Sequence, residues 1–139
     1  MPDLAKHFAT LEITPDLFLI DWMLTLFSQV VEMDIVSRIW DNFLLDGEIF
    51  ALRTALALLK CRESQLMNQS YYTIIKVLRG GNQRNEAMTE IQSMVKKISE
   101  ERLFKYIEST EIDKDEYYSD LKMQKWSYQK SKILGGVFK

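Results

Sequence analysis

Few side chains in this sequence are of the types that carry out chemistry. Its 139 residues include one histidine, His7, and one cysteine, Cys61. Zinc sites of the common types need more Cys and His ligands than that, so this chain alone cannot supply one. A catalytic triad would need His7 as its base; because His7 lies in a predicted surface helix beside Phe8, we expect a surface or packing role. Cys61 lies in an apolar helical run, where a buried structural thiol is expected, and a lone cysteine excludes an intramolecular disulfide.

The acidic residues and the glycines do not form a recognisable catalytic or phosphate-binding motif either. Asp21 is flanked by Ile20 and Trp22; it is either an acid of raised pKa or, as we expect, a carboxylate that points outward or pairs with a base. Arg38 and Asp41 lie three residues apart on one helix face and are expected to pair. Gly80-Gly81 is too short for a phosphate loop and lacks its lysine. The sequence therefore predicts no catalytic residue, no metal site and no cofactor.

The charge distribution restricts the partners of the chain. The formal net charge is −2, made up of −5 over residues 1–60 and +3 over residues 61–139. Neither part is basic enough to bind nucleic acid through phosphate contacts, and no helix shows a clustered basic face. No apolar run reaches the ~18 residues of a membrane span. Because the N-terminus also lacks the features of a signal peptide, we expect a cytoplasmic protein that meets endomembranes only through partners.

The first part of the chain is predicted to be helical. A short helix is expected over residues 2–10. Thr14-Pro15-Asp16 then supplies a cap residue, a proline at the first helical position and an acid in the first turn. The stretch 17–27 is apolar on nearly every side, so we expect its helix to be enclosed by others.

Two longer helices follow. Asp34 is the expected cap of the next one, in which apolar doublets recur every four residues. Asp46-Gly47 is expected to end it, with glycine in a left-handed conformation. A helix from Glu48 carries an alanine run that permits close packing, and it is expected to continue as a turn or helix to residue 67. The doublets are Ile35-Val36, Ile39-Trp40 and Phe43-Leu44, and the alanines are Ala51, Ala55 and Ala57.

The second part of the chain is less regular. Ser70 and its neighbours are predicted to cap a helix over residues 71–79, and a longer amphipathic helix is expected from Asn85. Ser99 is expected to cap a further helix. Residues 110–139 become polar and are either a lightly packed helix or a tail, with residues 133–139 frayed at the end. The fold prediction is all-α, an irregular array of several helices.

The arrangement of the aromatic and charged residues over residues 1–67 resembles the C-terminal half of the TBC domain. The resemblance depends on three stretches, MPDLAKHF, PDLFLIDWMLTLF and RIWDNFLLDGEIFALRTALALL. Its most specific positions, at the spacing of the family, are Trp22, Phe27, Arg38, Trp40, Asp41, Gly47 and Arg53. Residues 1–109 are thus predicted to be a TBC C-terminal subdomain. Because Met1-Pro2 corresponds to an internal position of the family, the chain is expected to be a fragment, an alternative product or a shortened protein.

TBC domains are GTPase-activating domains for Rab GTPases, which implies a mechanism. The family supplies an arginine from an I-x-x-D-x-x-R motif and a glutamine from Y-x-Q, both in its N-terminal half. Such an arginine can be worth ~10³–10⁵ in rate. Here Ile13 and Asp16 are followed by Leu19 in place of the arginine, and Gln129 stands one place too early after Tyr128. The resemblance therefore implies that this chain is not an enzyme on its own and lacks the catalytic pair.

The remaining motif positions are expected to be structural. Trp22, Phe27, Trp40 and Phe43 are predicted to be core aromatics. Two charges in apolar helices, Asp41 and Arg53, are hypothesised to form a buried pair. Such an ion pair would link the two helices that carry Asp41 and Arg53.

Two classes of function remain open. In the first, the chain is part of a Rab GTPase activator in vesicle trafficking, whose partners are a Rab-type GTPase, bound through the full domain, and the missing N-terminal half. In the second, it is a non-catalytic helical adaptor with a TBC-like scaffold. Because half a domain exposes surface that the other half covers, self-association is also expected.

Overall fold

The computed structural model describes residues 1–79 and 98–124 of the chain. Helices account for most of these residues, and no strand occurs among them, so the all-α prediction is confirmed. The last helical stretch, residues 114–124, is called α7. The other helices are α1 (Pro2–Thr10), α2 (Asp16–Leu24), α3 (Met33–Asp46), α4 (Glu48–Leu66), α5 (Tyr71–Leu78) and α6 (Glu100–Ser109).

One apolar core receives side chains from α1 to α6. Each of these helices contributes at least one residue with no more than 2% of its surface exposed. Burial of a large apolar side chain stabilises the fold by about 1.5–3 kcal/mol, so this shared core holds the six helices together. Representative members are Leu4, Phe18, Trp22, Ile39, Leu58, Ile74, Leu103 and Ile107.

Helix α4 is the centre of the array. It packs against α6, α3 and α2. Its alanines Ala51, Ala55 and Ala57 are at most 4% exposed, as close packing requires. By contrast, Leu56 is 39% exposed, although helical spacing placed it on the same apolar face as Ile49. The three alanines of α4 therefore pack against neighbouring helices, whereas Leu56 is partly exposed to solvent.

Helix α2 is shorter and more exposed than the sequence predicts. It ends at Leu24, three residues before the expected end, because Leu26 and Phe27 have positive φ angles of 45° and 66°. Ile20 and Leu24 are 56% and 79% exposed, so the expectation that other helices enclose α2 on all sides is wrong. Only one face of α2, which carries Trp22, is buried.

The helix ends follow the predicted caps with two exceptions. At the start of α2, Pro15 takes the cap position in place of Thr14, and Asp16 is the first helical residue. The Ser70 and Ser99 hydroxyls accept hydrogen bonds from the third residue of α5 and α6. Gly47 separates α3 from α4 at φ 72° and ψ −155°. Asp34 is not the cap of α3; Glu32 takes that position, and Asp34 lies in the first turn.

The described region after α6 is helical from residue 114 to residue 124. The Asp113 carboxylate accepts hydrogen bonds from the backbone N–H groups of Asp115 and Glu116, which satisfies free donors at the start of α7. The amphipathic helix predicted from Asn85 lies outside the described residues, as does the predicted fraying of residues 133–139.

Candidate protein-binding site

The motif tryptophan of α2 joins that helix to α5. The Trp22 indole N–H donates to the Leu78 carbonyl oxygen at 2.7 Å. Its ring centroid is 5.0 Å from Phe18 and 6.2 Å from Phe27, and all three rings are buried. Tilted aromatic pairs at these distances add to the stability that burial alone provides. Trp22 and Phe27 thus lie where the sequence predicted them, inside the core.

The second motif tryptophan lies at the surface. Trp40 is 38% exposed, and its indole N–H donates to the Leu26 carbonyl oxygen at 2.9 Å. Leu26 is in the left-handed turn that ends α2, where its carbonyl has no helical partner. Trp40 therefore fixes that turn against α3 and keeps part of its ring in solvent. The prediction that Trp40 is a core aromatic is wrong, and Phe43 is only half-buried.

The motif arginine Arg53 fastens α4 to the end of α6. Its guanidinium donates to the Ile107 carbonyl oxygen at 3.0 and 2.7 Å and to the Glu108 carbonyl oxygen at 3.2 Å. A cation at the C-terminus of a helix interacts favourably with its dipole. Asp41 is exposed, so the hypothesised buried pair between Asp41 and Arg53 is wrong.

Arg38 links α3 to α6. Its guanidinium forms an ion pair with the Glu100 carboxylate and lies 5.1 Å from the centroid of the Phe104 ring. The pairing of Arg38 with Asp41 that helical spacing predicted is therefore wrong. A tertiary partner that offers both a charge and an aromatic face replaces the local one.

A buried arginine that no sequence motif marks lies at the centre of the fold. Arg62 is 1% exposed, and it donates to the Val30 carbonyl oxygen at 2.6 Å and to the Val77 carbonyl oxygen at 3.2 Å. Burial lowers the pKa of Arg62 to about 10. Arg62 thereby ties the turn after α2 to α5.

Every arginine in the described part of the chain is held by an internal partner. Arg79 donates to the Leu17 carbonyl oxygen and lies 3.6 Å from the Asp21 carboxylate, which confirms that Asp21 pairs with a base. Arg102 donates to the Tyr106 hydroxyl. Together with Arg38, Arg53 and Arg62, these contacts assign structural roles to all five.

The single histidine and the single cysteine have structural surroundings. His7 is half-buried, with Nε2 at 3.2 Å from the Gln69 carbonyl oxygen. Cys61 is half-buried and forms no disulfide. Burial raises the pKa of its thiol, although Arg102 and Arg62 act in the opposite direction. A thiol of raised pKa is a weak nucleophile at neutral pH.

The described surface includes exposed apolar side chains on α2 and α3. On α2 they are Ile20 and Leu24. Helix α3 contributes four more, with 38–83% of their surface exposed: Met33, Trp40, Leu44 and Leu45. Exposed apolar side chains gathered on neighbouring elements are typical of protein-binding surfaces. We call the pair on α2 the α2 patch.

Two other kinds of site are not found in the part of the chain that the structure describes. Residues 1–79 and 98–124 contain no group of three or more His, Cys, Asp or Glu side chains arranged to hold a metal ion. Within the same ranges, no helix combines the length and the apolar character needed to cross a membrane.

Comparison with known protein families gives a match for the first part of the chain. Residues 1–67 match the family model for the Rab-GTPase-TBC domain. This match confirms the resemblance that the motif spacing predicted. No solved structure matches the chain.

Curated relatives support the same assignment over a longer stretch. The chain is 36% identical to Drainin of Dictyostelium discoideum over 116 residues, which cover 84% of this chain and 24% of Drainin. It is 42% identical over 78 residues to TBC1 domain family member 12 of Xenopus tropicalis and to TBC1 domain family member 14 of Homo sapiens. Each of those matches covers 56% of this chain and 11% of the relative. The chain thus spans a quarter or less of these relatives.

Proposed function

We propose that this chain is the C-terminal part of a GTPase-activating protein for Rab-family small GTPases. The observation that carries the proposal is the match of residues 1–67 to the Rab-GTPase-TBC domain. In this proposal residues 1–109 form the TBC subdomain and residues 110–139 an extension. The chain supplies scaffold and a GTPase-binding surface and does not supply the catalytic arginine and glutamine.

The contacts of the arginines support a scaffold role for this chain without a catalytic arginine. An arginine that stabilises the transferred phosphoryl group must reach into the active site of the GTPase. Four of the five arginines in the described residues instead join different segments of the fold, through carbonyl oxygens and carboxylates, and the contact of Arg102 with the Tyr106 hydroxyl lies within α6. In this proposal an activating arginine comes from outside the described residues.

The α2 patch is the proposed contact surface. Ile20 and Leu24 stand one helical turn apart on the solvent side of the helix whose other side carries the motif residue Trp22. Since burial of such a side chain is worth about 1.5–3 kcal/mol, their exposure favours a protein partner at this position.

The test combines binding with single-turnover GTP hydrolysis. The purified chain is added to a panel of Rab proteins loaded with GTP or GDP. We expect at least one Rab to bind and none to hydrolyse GTP faster. Leu24→Asp should weaken binding at least ~10-fold, because the complex would then bury a charge where it otherwise buries an apolar side chain. Met123→Asp is the matched control, because Met123 is 70% exposed and lies outside the family match.

The outcomes separate the two classes of function. If no Rab binds in either nucleotide state, the proposal fails and a TBC-like adaptor for other proteins takes its place. If hydrolysis accelerates and one arginine substitution abolishes the effect, the chain itself carries the catalytic group, and the scaffold role is wrong.

A further inference from the structure

An open groove lies between α3 and α6, with a volume of about 610 Å³. Arg38 of α3 lines one side, where its guanidinium pairs with the Glu100 carboxylate and lies 5.1 Å from the centroid of the Phe104 ring. An aromatic ring is therefore available in a groove whose other lining residues are polar. These are Ser99, Glu101, Lys105 and Glu108.

The α6 side of the groove is mainly acidic. Glu101 and Glu108 are exposed, and at 100° per residue they lie about 20° apart around α6, on one face of the helix. Lys105 is the exposed base on this side. Because Glu100 and Arg38 already pair with each other, the balance of the groove is set by two carboxylates against one ammonium.

The exposed face of α3 continues this acidic character and adds apolar side chains. Starting from Arg38, the residues Leu45, Asp34 and Asp41 follow around the helix at steps of about 20°. Leu44 lies about 60° further on. The two leucines are 83% and 80% exposed, and both aspartates are exposed. We call the groove together with these four residues of α3 the α3–α6 surface.

The charge of the α3–α6 surface selects one class of partner. Residues 32–48 carry five acids and one base, Arg38, which is paired with Glu100. A second copy that docked through the same surface, or an anionic lipid surface, would bring like charges together, which is unfavourable. A cationic partner instead gains from these carboxylates. Because leucines stand beside the acids, that partner must also offer apolar side chains.

We propose that the α3–α6 surface binds a cationic amphipathic helix of another protein. The apolar side chains of that helix cover Leu44 and Leu45, and its Lys or Arg side chains face the carboxylates of α3 and of the groove, as in helix-in-groove recognition. Residues 34–45 extend over about 17 Å, so a partner helix of about three turns matches them. This inference does not depend on the binding of a GTPase, because Ile20 and Leu24 lie outside the surface.

The test uses two labelled synthetic helices of about 18 residues that differ only in charge. Both carry leucines along one face; one carries lysines beside them, and the other carries glutamates at the same positions. Fluorescence anisotropy measures their binding to the full chain. We expect the lysine helix to bind ~10-fold or more tightly than the glutamate helix, and its affinity to fall as salt rises. Equal binding of the two helices, or no binding of the lysine helix, would overturn the proposal.

A pair of double variants tests whether the aspartates of α3 receive the lysine helix. Asp34→Asn/Asp41→Asn should weaken its binding ~10-fold. Asp3→Asn/Asp16→Asn is the matched control, because it also removes two exposed carboxylates, at the starts of α1 and α2, and it should leave the affinity unchanged. The same effect in both double variants would mean that the helix responds only to net charge, which contradicts the proposal.

A leucine substitution tests the apolar part of the surface. Leu45→Ser should weaken binding of the lysine helix ~10-fold, since burial of this side chain contributes about 1.5–3 kcal/mol, whereas Met123→Ser on α7 should not change it. Loss of binding in Leu24→Ser but not in Leu45→Ser would place the helix on the α2 patch and overturn the proposal. If Leu45→Ser instead abolishes self-association of the chain alone, measured by sedimentation velocity, the surface belongs to a second copy and the proposal is wrong.

Discussion

Arg62 places a positive charge inside the core, and its hydrogen-bond acceptors are two backbone carbonyl oxygens. The two oxygens belong to different segments, the turn after α2 and helix α5. A hydrogen bond from a charged donor contributes more than a neutral one, about 1.5–3 kcal/mol. The burial that lowers its pKa to about 10 is the opposing cost. Arg62 thus links the two segments, and its removal takes away the hydrogen bonds that it donates to the Val30 and Val77 carbonyl oxygens.

We predict that Arg62→Ala lowers the free energy of unfolding by ~3 kcal/mol, the result of lost packing and two orphaned carbonyl oxygens. Arg62→Lys should cost less, because one ammonium keeps the charge and at least one bond. Chemical denaturation measured by circular dichroism gives the values. The exposed Arg102 is the control, and Arg102→Ala should leave the unfolding midpoint nearly unchanged; an equal effect of both substitutions would contradict this role of Arg62.

The pH dependence of the same group has a definite sign. Burial makes the pKa of Arg62 lower in the folded state than its ordinary value. Between these two values the unfolded chain binds more protons, so the contribution of Arg62 to stability rises with pH above about 10. Below that pH the group is protonated in both states and contributes no slope.

The sequence identified some of these side chains and missed others for a physical reason. Trp22 and Phe27 belong to a stretch that is apolar on nearly every side, and the burial of large aromatic side chains follows from that composition. The burial of Arg62 depends on the positions of Val30 and Val77, which are 32 and 15 residues away. No local pattern records that distance. For the same reason, helical spacing paired Arg38 with its neighbour Asp41, although tertiary packing brings Glu100 to it.

At the scale of the elements, the junction of α3 and α4 depends on one backbone conformation. Gly47 has φ 72° and ψ −155°, a region that is essentially restricted to glycine. A Cβ atom built at this position meets no other atom within 4 Å. The cost of a side chain here therefore comes from the backbone and not from a clash.

We predict that Gly47→Ala lowers the free energy of unfolding by about 1–3 kcal/mol. Gly47→Asn should cost about the same, because asparagine tolerates the left-handed helical region but not this one. Thermal unfolding of the two variants checks this. A markedly smaller effect for Asn would mean that the junction has the ordinary left-handed cap conformation that the sequence predicted.

Element boundaries were predictable where a short-range signal sets them. The serine caps of α5 and α6 and the glycine between α3 and α4 are such signals. The end of α2 is not, because Leu26 and Phe27 adopt positive φ without a glycine. The Trp40 indole, which reaches Leu26 from another helix, supports this turn. The apolar composition of residues 17–27 therefore predicted a helix that extends to Phe27, three residues too far.

At the scale of the whole molecule, the core extends beyond the part that matches the family. The family match ends at residue 67, yet Ile74 of α5 and Leu103 and Ile107 of α6 are at most 1% exposed within the same core. Arg53 and Arg62 connect these later helices to the matched part. We therefore infer that residues 1–79 and 98–109 unfold together, as a single cooperative unit.

The same molecule leaves the α2 patch uncovered, and this favours self-association. We predict that the mean molar mass of the purified chain rises with concentration, and that it binds a hydrophobic dye. Light scattering after size-exclusion chromatography measures the mass. Leu24→Ser should weaken association ~10-fold or more, since each burial of this side chain contributes about 1.5–3 kcal/mol.

A matched control makes this prediction specific to the α2 patch. Met123→Ser removes an apolar side chain that is almost as exposed, 70% against 79% for Leu24, and should leave association unchanged because it lies on α7. If the chain stays monomeric and binds no dye, Ile20 and Leu24 remain exposed to solvent without a partner. That result would contradict the proposal that the α2 patch is a contact surface.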